Sequence, residues 1–258
     1  MNRINELFNR KTSNVLSIYF CAGFPYIDNV SSTLIALQHN GVDMVEIGIP
    51  FSDPMADGVV IQNASSIALK NGMSLKKLFS QLEKIRNEVD IPLIMMGYLN
   101  PIVQYGFKEF CESCSKVGID GIIIPDLPFQ EYMDEYKDIA DKYNIKIIML
   151  ITPGTSQERI RLIDANTDGF IYMVSSASTT GEQHKFDSLK EDYFRRIDEM
   201  HLNNPPMIGF GISNKETFNM ACKYASGAII GSKFVSLLQN CNGDANLAAK
   251  ELINAIKN

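Results

Sequence analysis

A glutamate stands inside an apolar run of this sequence, where a charged side chain needs a reason. Glu46 belongs to the segment MVEIGI, residues 44–49. If this segment is a strand, Glu46 shares one face with Met44 and Gly48, while aliphatic side chains occupy the other face. A carboxyl group in an apolar interior holds its proton to a higher pH, which makes Glu46 a candidate general acid and base. The alternative is a buried structural glutamate satisfied by an arginine or by backbone amides.

Two more carboxylates follow in the loop PFSDPMADG, residues 50–58. Asp53 and Asp57 each stand beside a proline or a glycine, and such aspartates are also ordinary turn or helix-cap residues. Paired with Glu46, however, one of them could complete a set of two acids in unlike environments. Such a pair divides acid and base work, because one group stays protonated while the other is ionised.

Glycine-rich segments close the last two apolar runs. MIGFGIS (207–213) contains Gly211, and GAIIGSKF (227–234) places Gly231 and Ser232 at the start of a helix. Backbone N–H groups of glycine approach an anion closely, and the N-terminus of a helix adds its dipole. The two segments together indicate a phosphorylated substrate, although glycines also end barrel strands without binding anything.

The elements that must position these residues alternate regularly along the chain. Short β-branched runs occur at 15–20, 44–49, 93–98, 121–124, 145–151, 170–174, 207–210 and 227–230. Helical periodicity occupies 28–40, 61–71, 74–88, 106–117, 130–143, 156–165, 187–201, 214–225 and 245–257. Eight strand–helix units in 258 residues predict an α/β fold, a (β/α)8 TIM barrel formed by one domain over 1–258 with an extra N-terminal helix. An open doubly wound sheet is the alternative, but it usually has fewer strands.

Composition narrows the function. The net charge of −6 argues against a nucleic-acid groove, and no stretch reaches the roughly 18 apolar residues that a membrane span needs. We expect no secretory signal, because the N-terminal segment is polar and lacks an apolar region. We also expect no metal site, since no histidine stands at a predicted strand end. Five cysteines, an odd number, favour reduced thiols and a cytoplasmic location.

Taken in order, these motifs resemble the tryptophan synthase α-chain family, and the resemblance spans residues 1–258. The matching pieces are VEIGIPFSDPMADG (45–58), GYLNP (97–101), PDLP (125–128), TPGT (152–155), TTG (179–181), GFGIS (209–213) and GS (231–232). The resemblance implies cleavage of indole-3-glycerol phosphate to indole and glyceraldehyde 3-phosphate, without a cofactor in this chain.

The resemblance also assigns roles. Glu46 would protonate the indole ring and take up the glycerol hydroxyl proton, Asp57 would stabilise positive charge at the indole nitrogen, and Tyr172 would support Glu46. Phosphate contacts are expected at Gly181, Gly211, Gly231 and Ser232. The indole pocket is expected at Tyr19, Met96, Tyr98 and Ile123.

The segment SSASTTGEQHK, residues 175–185, is small and polar and reads as a lid or as a plain surface loop. Ser176 and Ser178 stand where better-known members carry arginine and glycine, which bears on lid closure and on signalling to a partner, not on the chemistry.

A partner is implied as well: a pyridoxal-phosphate-dependent β chain that receives the indole in an α2β2 complex. The residues expected to face it are Asp53, Pro54, Asn100, Asp126 and Pro128. Other functions stay open, namely a free-standing indole-releasing lyase and a catalytically idle α-type subunit that activates a β chain. Another phosphosugar barrel enzyme, such as a pentose-phosphate epimerase, would need metal ligands that this sequence lacks.

Overall fold

The computed structural model of the chain describes residues 1–174, 188–209 and 211–257. Its strands are β1 (Val15–Cys21), β2 (Met44–Gly48), β3 (Leu93–Met96), β4 (Gly121–Ile123), β5 (Lys146–Ile148), β6 (Leu150–Ile151), β7 (Ile171–Val174), β8 (Pro206–Gly209) and β9 (Gly227–Ile230). All neighbouring strands pair in parallel, in the order β5-β4-β3-β2-β1-β9-β8-β7-β6.

Helices separate most of the strands and form the outer layer. They are α1 (Arg3–Arg10), α2 (Val30–His39), α3 (Val59–Lys70), α4 (Leu75–Leu82), α5 (Leu99–Tyr105), α6 (Phe107–Val117), α7 (Phe129–Glu131), α8 (Lys137–Lys142), α9 (Gln157–Asn166), α10 (Ser188–Asp198), α11 (Lys215–Tyr224), α12 (Ser232–Asn240) and α13 (Ala245–Lys257). None of the helices in the described part of the chain is both long and apolar enough to cross a membrane.

The sheet closes on itself where the predicted strand 145–151 is interrupted. Its first part, β5, pairs with β4, and its second part, β6, pairs with β7. Met149 lies between the two parts, and its carbonyl oxygen accepts a hydrogen bond from the Tyr172 amide at 3.0 Å. The two ends of the strand order are therefore consecutive in the chain, which confirms the TIM barrel and rules out the open sheet.

Alternation along each strand builds two buried layers. Met44, Ile94 and Ile123 belong to a cluster inside the barrel, whereas Val45 and Ile47 pack in the layer between strands and helices. Each fully buried side chain of this size contributes about 1.5–3 kcal/mol relative to an exposed one. The near-continuous apolar strands follow from this burial on both faces.

The extra N-terminal helix is present and fills one end of the barrel. Asn2 caps α1, accepting a hydrogen bond from the Ile4 amide at 3.0 Å, and its side-chain amide donates to the Asp120 carbonyl at 2.8 Å. Ile4, Leu7 and Phe8 insert into the inner cluster. Because Asp120 immediately precedes β4, α1 covers the end of the barrel at which the strands begin.

Several helices differ from the periodicity-based expectation. The predicted helix 74–88 ends early and continues as a short 3₁₀ turn at Ile85–Asn87, and the predicted helix 130–143 contains a π-helical turn at Tyr132–Tyr136. Helix α5 was not among the helices that the periodicity predicted. Pro101 occupies its first turn, where the amide would have no intrahelical partner, so the helix tolerates it.

Candidate active site

Glu46 is completely buried on β2. The Ser17 hydroxyl on neighbouring β1 donates to Oε1 of Glu46 at 2.9 Å. The other oxygen, Oε2, is buried and has no hydrogen-bond partner among the described residues. Burial raises the pKa of Glu46 to about 8, against the opposing effect of the Ser17 hydrogen bond. At neutral pH the side chain therefore carries a proton.

Asp57 is held at the rim by its own loop and by Tyr98. Its amide donates to the Pro54 carbonyl at 3.1 Å, and the Gln62 side chain donates to its carbonyl at 2.9 Å. The Tyr98 hydroxyl donates to Oδ2 of Asp57 at 3.0 Å. Burial raises the pKa of Asp57 to about 6, although the Tyr98 hydrogen bond lowers it. Around pH 7 Asp57 is mostly ionised while Glu46 is mostly protonated.

Two tyrosine hydroxyls lie beside these acids, each over a glycine. The Tyr19 hydroxyl lies against Gly48, and the Tyr172 hydroxyl lies against Gly209, so closely that a Cβ at either glycine would overlap the oxygen. Burial, followed by the charges of Glu46 and Asp57, raises the pKa of Tyr172, so its hydroxyl stays protonated. The interior face that carries Tyr172 also carries Phe170.

The residues expected to hold an indole lie on β1, on β3, on β4 and just after β3. Met96 pairs in register with Gly48 on one side and with Ile123 on the other. Ile123 is fully buried inside the barrel, and Met96 is partly buried against the same cluster. Tyr98 and Tyr19 add aromatic surface and are each less than one-tenth exposed. An apolar slot with a few polar groups is what a flat aromatic ligand requires.

Two of the expected phosphate contacts lie at the ends of neighbouring strands. Strands β8 and β9 pair directly. Gly211 follows β8 with a φ of +77°, a conformation that favours glycine. Gly231 immediately precedes α12, which begins at Ser232, so unpaired backbone amides point away from that helix end. Gly181 and the segment 175–185 lie outside the described residues.

The residues expected to face a partner lie on the surface. Asp53, Asn100, Asp126 and Pro128 are exposed, and Pro54 is partly buried. The Leu99 amide donates to Oδ1 of Asp126 at 2.8 Å, which joins the loops after β3 and β4. Asn100 and Asp126 therefore belong to one patch of the rim at which the strands end.

The comparisons with known proteins identify the family of the chain. The family model described as Tryptophan synthase alpha chain matches residues 6–258. The chain belongs to the tryptophan synthase alpha chain family. This is the lyase family that cleaves indole-3-glycerol phosphate in tryptophan biosynthesis, so the expected family and reaction are confirmed.

Individual relatives of the alpha chain family cover nearly the whole chain, from 95% to 100% of it. The tryptophan synthase alpha chain of Phocaeicola vulgatus is 63% identical over 258 residues, covering 100% of both chains. The crystal structure of the alpha chain from Legionella pneumophila is 31% identical, with a TM-score of 0.87, covering 99% of this chain and 96% of that chain. A tryptophan synthase complex from Pyrococcus furiosus is 32% identical, with a TM-score of 0.85, covering 95% of this chain and 98% of that chain.

The alpha-chain site contains contacts that the sequence did not reveal. Ser17 was not recognised as a partner of Glu46, although it stands two residues before Tyr19 on the same strand face. Tyr98 was expected only as pocket wall, yet its hydroxyl binds Asp57. In the described part of the chain, no group of three or more His, Cys, Asp or Glu side chains could hold a metal ion.

Proposed function

We propose that Glu46 and Asp57 carry out the family's cleavage of indole-3-glycerol phosphate, with Glu46 making both proton transfers and Asp57 stabilising the charge that develops between them. Glu46 first donates its proton to C3 of the indole ring, and the positive charge that develops at the ring nitrogen is stabilised by the Asp57 carboxylate. Glu46, now ionised, then accepts the proton of the hydroxyl on the carbon attached to C3. The bond between that carbon and C3 breaks, its electrons restore the aromatic ring, and Glu46 regains its proton.

One observation carries this assignment: a fully buried carboxylic acid with one oxygen held and the other unpartnered. An acid whose pKa is close to the pH of the solution can both donate and accept a proton at little free-energy cost. Asp57 supports it with the lower pKa of the two, so the pair can hold one proton and one charge at neutral pH.

The remaining assignments follow from where the substrate's two ends would lie. We place the indole ring on Tyr19, Met96, Tyr98 and Ile123, because these largely apolar side chains belong to or follow strands near Glu46: β1, which carries Tyr19, pairs with β2, as does β3, which carries Met96. We place the phosphate at Gly211, Gly231 and Ser232, where a helix N-terminus favours an anion. Gly181 remains a sequence-based candidate for the same group, and Tyr172 a candidate for support of Glu46.

We further propose that the chain needs no cofactor of its own, because both groups that the cleavage requires are side-chain acids. Pyridoxal phosphate would belong to the partner. We also propose that residues 1–258 fold as one domain. We propose a cytoplasmic location as well, since all five cysteines are free thiols.

The proposed partner is a tryptophan synthase β chain in an α2β2 complex, as the Pyrococcus furiosus relative occurs in a tryptophan synthase complex. The rim patch of Asp53, Pro54, Asn100, Asp126 and Pro128 would meet it. In the loop that carries Asp53, Met55 is 87% exposed, and Val59 at the start of α3 is 79% exposed. Exposed apolar side chains beside polar ones are typical of a surface that is covered in a complex.

The test is indole release by the isolated chain and by its Glu46→Gln variant. Glutamine keeps the volume and an oxygen for Ser17 but cannot donate an acidic proton, so we expect kcat to fall by about 10²–10⁴-fold. Binding of a non-cleavable analogue should change little. Glu83→Gln, at an exposed glutamate after α4, is the matched control and should keep full activity. Loss of analogue binding with unchanged turnover would contradict the role given to Glu46.

Addition of a β chain separates the alternative functions. A working half of the complex releases indole alone and binds the β chain. A free-standing lyase would release indole but not co-elute with a β chain in gel filtration. An idle subunit would bind without releasing indole in either state.

A further inference from the structure

Ser17 is the side chain that touches Glu46, and its position is unusual for a small polar residue. It is fully buried, on the inward face of β1, in a layer whose members other than Glu46 are mostly apolar or aromatic. A hydroxyl buried there costs free energy unless it is hydrogen-bonded, and an alanine or valine would pack without that cost. The bond from Ser17 Oγ to Glu46 Oε1, 2.9 Å long, satisfies it.

The register of β1 and β2 fixes the direction of this bond. Tyr19 is the register partner of Glu46, whereas Ser17 is the partner of Met44. Ser17 therefore lies one inward-facing position nearer the beginning of the strands than Glu46. Oε1 is turned back toward the closed end of the barrel, and Oε2 remains as the oxygen without a partner.

We propose that Ser17 is a positioning residue that assigns the transferable proton to Oε2 of Glu46. The proposal rests on the acid and base role proposed for Glu46. A neutral carboxylic acid has one oxygen that bears the proton and one that accepts hydrogen bonds. Because the Ser17 hydroxyl donates to Oε1, Oε1 is the accepting oxygen, and the proton resides on Oε2.

The same bond also serves the ionised form of Glu46. Once Oε2 has given its proton to the ring carbon, the hydrogen bond from Ser17 is made to a carboxylate, and such bonds are about twice as strong as neutral ones. Ser17 thus stabilises the intermediate more than the resting acid, and this difference is what accelerates a reaction step. It also holds the pKa of Glu46 below the value that burial alone would set.

Ser17→Ala removes the donor, and Ser17→Thr restores it on a residue that also suits a strand. For Ser17→Ala we expect kcat to fall about 10-fold, the lower end for loss of a hydrogen bond to a charged group. The basic limb of the kcat/KM profile should move to higher pH, since Glu46 loses the bond that lowers its pKa. The KM for indole-3-glycerol phosphate should stay within about two-fold of wild type, a margin well below a single hydrogen bond. Ser17→Thr should regain most of kcat and the original limb.

The control is Thr33→Val, which removes a buried hydroxyl on α2 that has no hydrogen-bond partner among the described residues. It should leave both kcat and the limb unchanged. If Ser17→Ala does not fold, as judged by circular dichroism, Ser17→Cys carries the test, because a thiol of similar size is a weaker donor and should move the limb in the same direction.

An unshifted basic limb in Ser17→Ala, or equal loss of kcat in the Ala and Thr variants, would overturn the proposal. Failure of the underlying function is distinguishable from this. If Glu46→Gln keeps its activity, the role of Glu46 is wrong whatever Ser17 does. If Glu46→Gln is inactive while Ser17→Ala behaves as wild type, only the positioning role is wrong.

Discussion

The hydroxyl of Tyr98 joins two points of the loop that carries Asp57. It accepts a hydrogen bond from the Ala56 amide at 2.9 Å and donates one to Oδ2 of Asp57 at 3.0 Å. Its ring also packs on Phe51, with 5.2 Å between the ring centroids. A single side chain thus fixes both the loop and the carboxylate, while its ring belongs to the proposed indole site.

Tyr98→Phe should therefore weaken catalysis without emptying the slot. The ring stays, but Asp57 loses the hydrogen bond that lowers its pKa, so the acid limb of the kcat/KM profile should move to higher pH. We expect kcat to fall roughly 10-fold, the lower end for loss of a hydrogen bond to a charged group. Tyr105→Phe, which removes a hydroxyl bonded to Ser113 away from Asp57, is the control for loss of a tyrosine hydroxyl. An unchanged acid limb in Tyr98→Phe would argue against Asp57 as the titrating group.

The pH dependence of the wild-type chain should be bell-shaped. The proposed mechanism requires Asp57 ionised and Glu46 protonated, so kcat/KM should rise through about pH 6 and fall through about pH 8. The substrate phosphate also titrates near pH 6. The Tyr98→Phe variant separates the two, because it moves the limb of Asp57 and leaves that of the phosphate. A profile flat between pH 7 and 10 would contradict a protonated Glu46.

Stability should depend on pH through the same glutamate. The pKa of Glu46 rises from an ordinary 4.5 to about 8 on folding, so between these values the native state binds a proton that the unfolded state has released. The contribution is fully present below about pH 4.5 and is lost as pH rises toward 8. Each pKa unit corresponds to about 1.4 kcal/mol, so the total is a few kcal/mol.

Glu46→Gln should accordingly become more stable relative to wild type as pH rises from 5 to 8, measured by urea denaturation at each pH. Asp57 titrates in both proteins and cancels in the comparison. The assignment fails if the difference between Glu46→Gln and wild type is independent of pH.

Gly211→Ala tests the phosphate site. A side chain at its φ of +77° costs about 1–2 kcal/mol and adds an atom near the amides that would meet the phosphate. We expect KM to rise about 10-fold, which corresponds to roughly 1.4 kcal/mol of lost binding. Gly41→Ala is a matched control, because Gly41 has a φ of +78° and open space around it. Gly41 lies between α2 and β2, at the end of the barrel where the strands begin and away from the proposed phosphate site. Both variants should unfold at a lower temperature than wild type, but only Gly211→Ala should weaken substrate binding. If the two variants had the same KM, Gly211 would not belong to the phosphate site.

Periodicity was enough to predict the barrel, because burial on both faces leaves a strong pattern in every strand. It could not show that the chain changes its pairing partner at Met149, since the residues around it remain uniformly apolar. Helix α5 was missed because its seven residues are too few for a clear helical periodicity. These misses concern local hydrogen bonding, which neighbouring elements decide.

The site was only partly predictable for a similar reason. Strand parity alone indicated that Glu46 and Met44 share a face. The bonds from Ser17 to Glu46 and from Tyr98 to Asp57 join residues 29 and 41 positions apart. Such pairs depend on barrel register and on side-chain rotamers, neither of which a single sequence specifies.

Helix α1 determines at which end of the barrel the substrate can enter and the products can leave. Ile4, Leu7 and Phe8 fill the end of the barrel at which its strands begin. The substrate and both products therefore have to enter and leave at the opposite end, where the strands end. A protein bound at that end would control both entry and release. A β chain bound there would both control access to the barrel and receive the indole, because indole could not leave through the end that α1 fills.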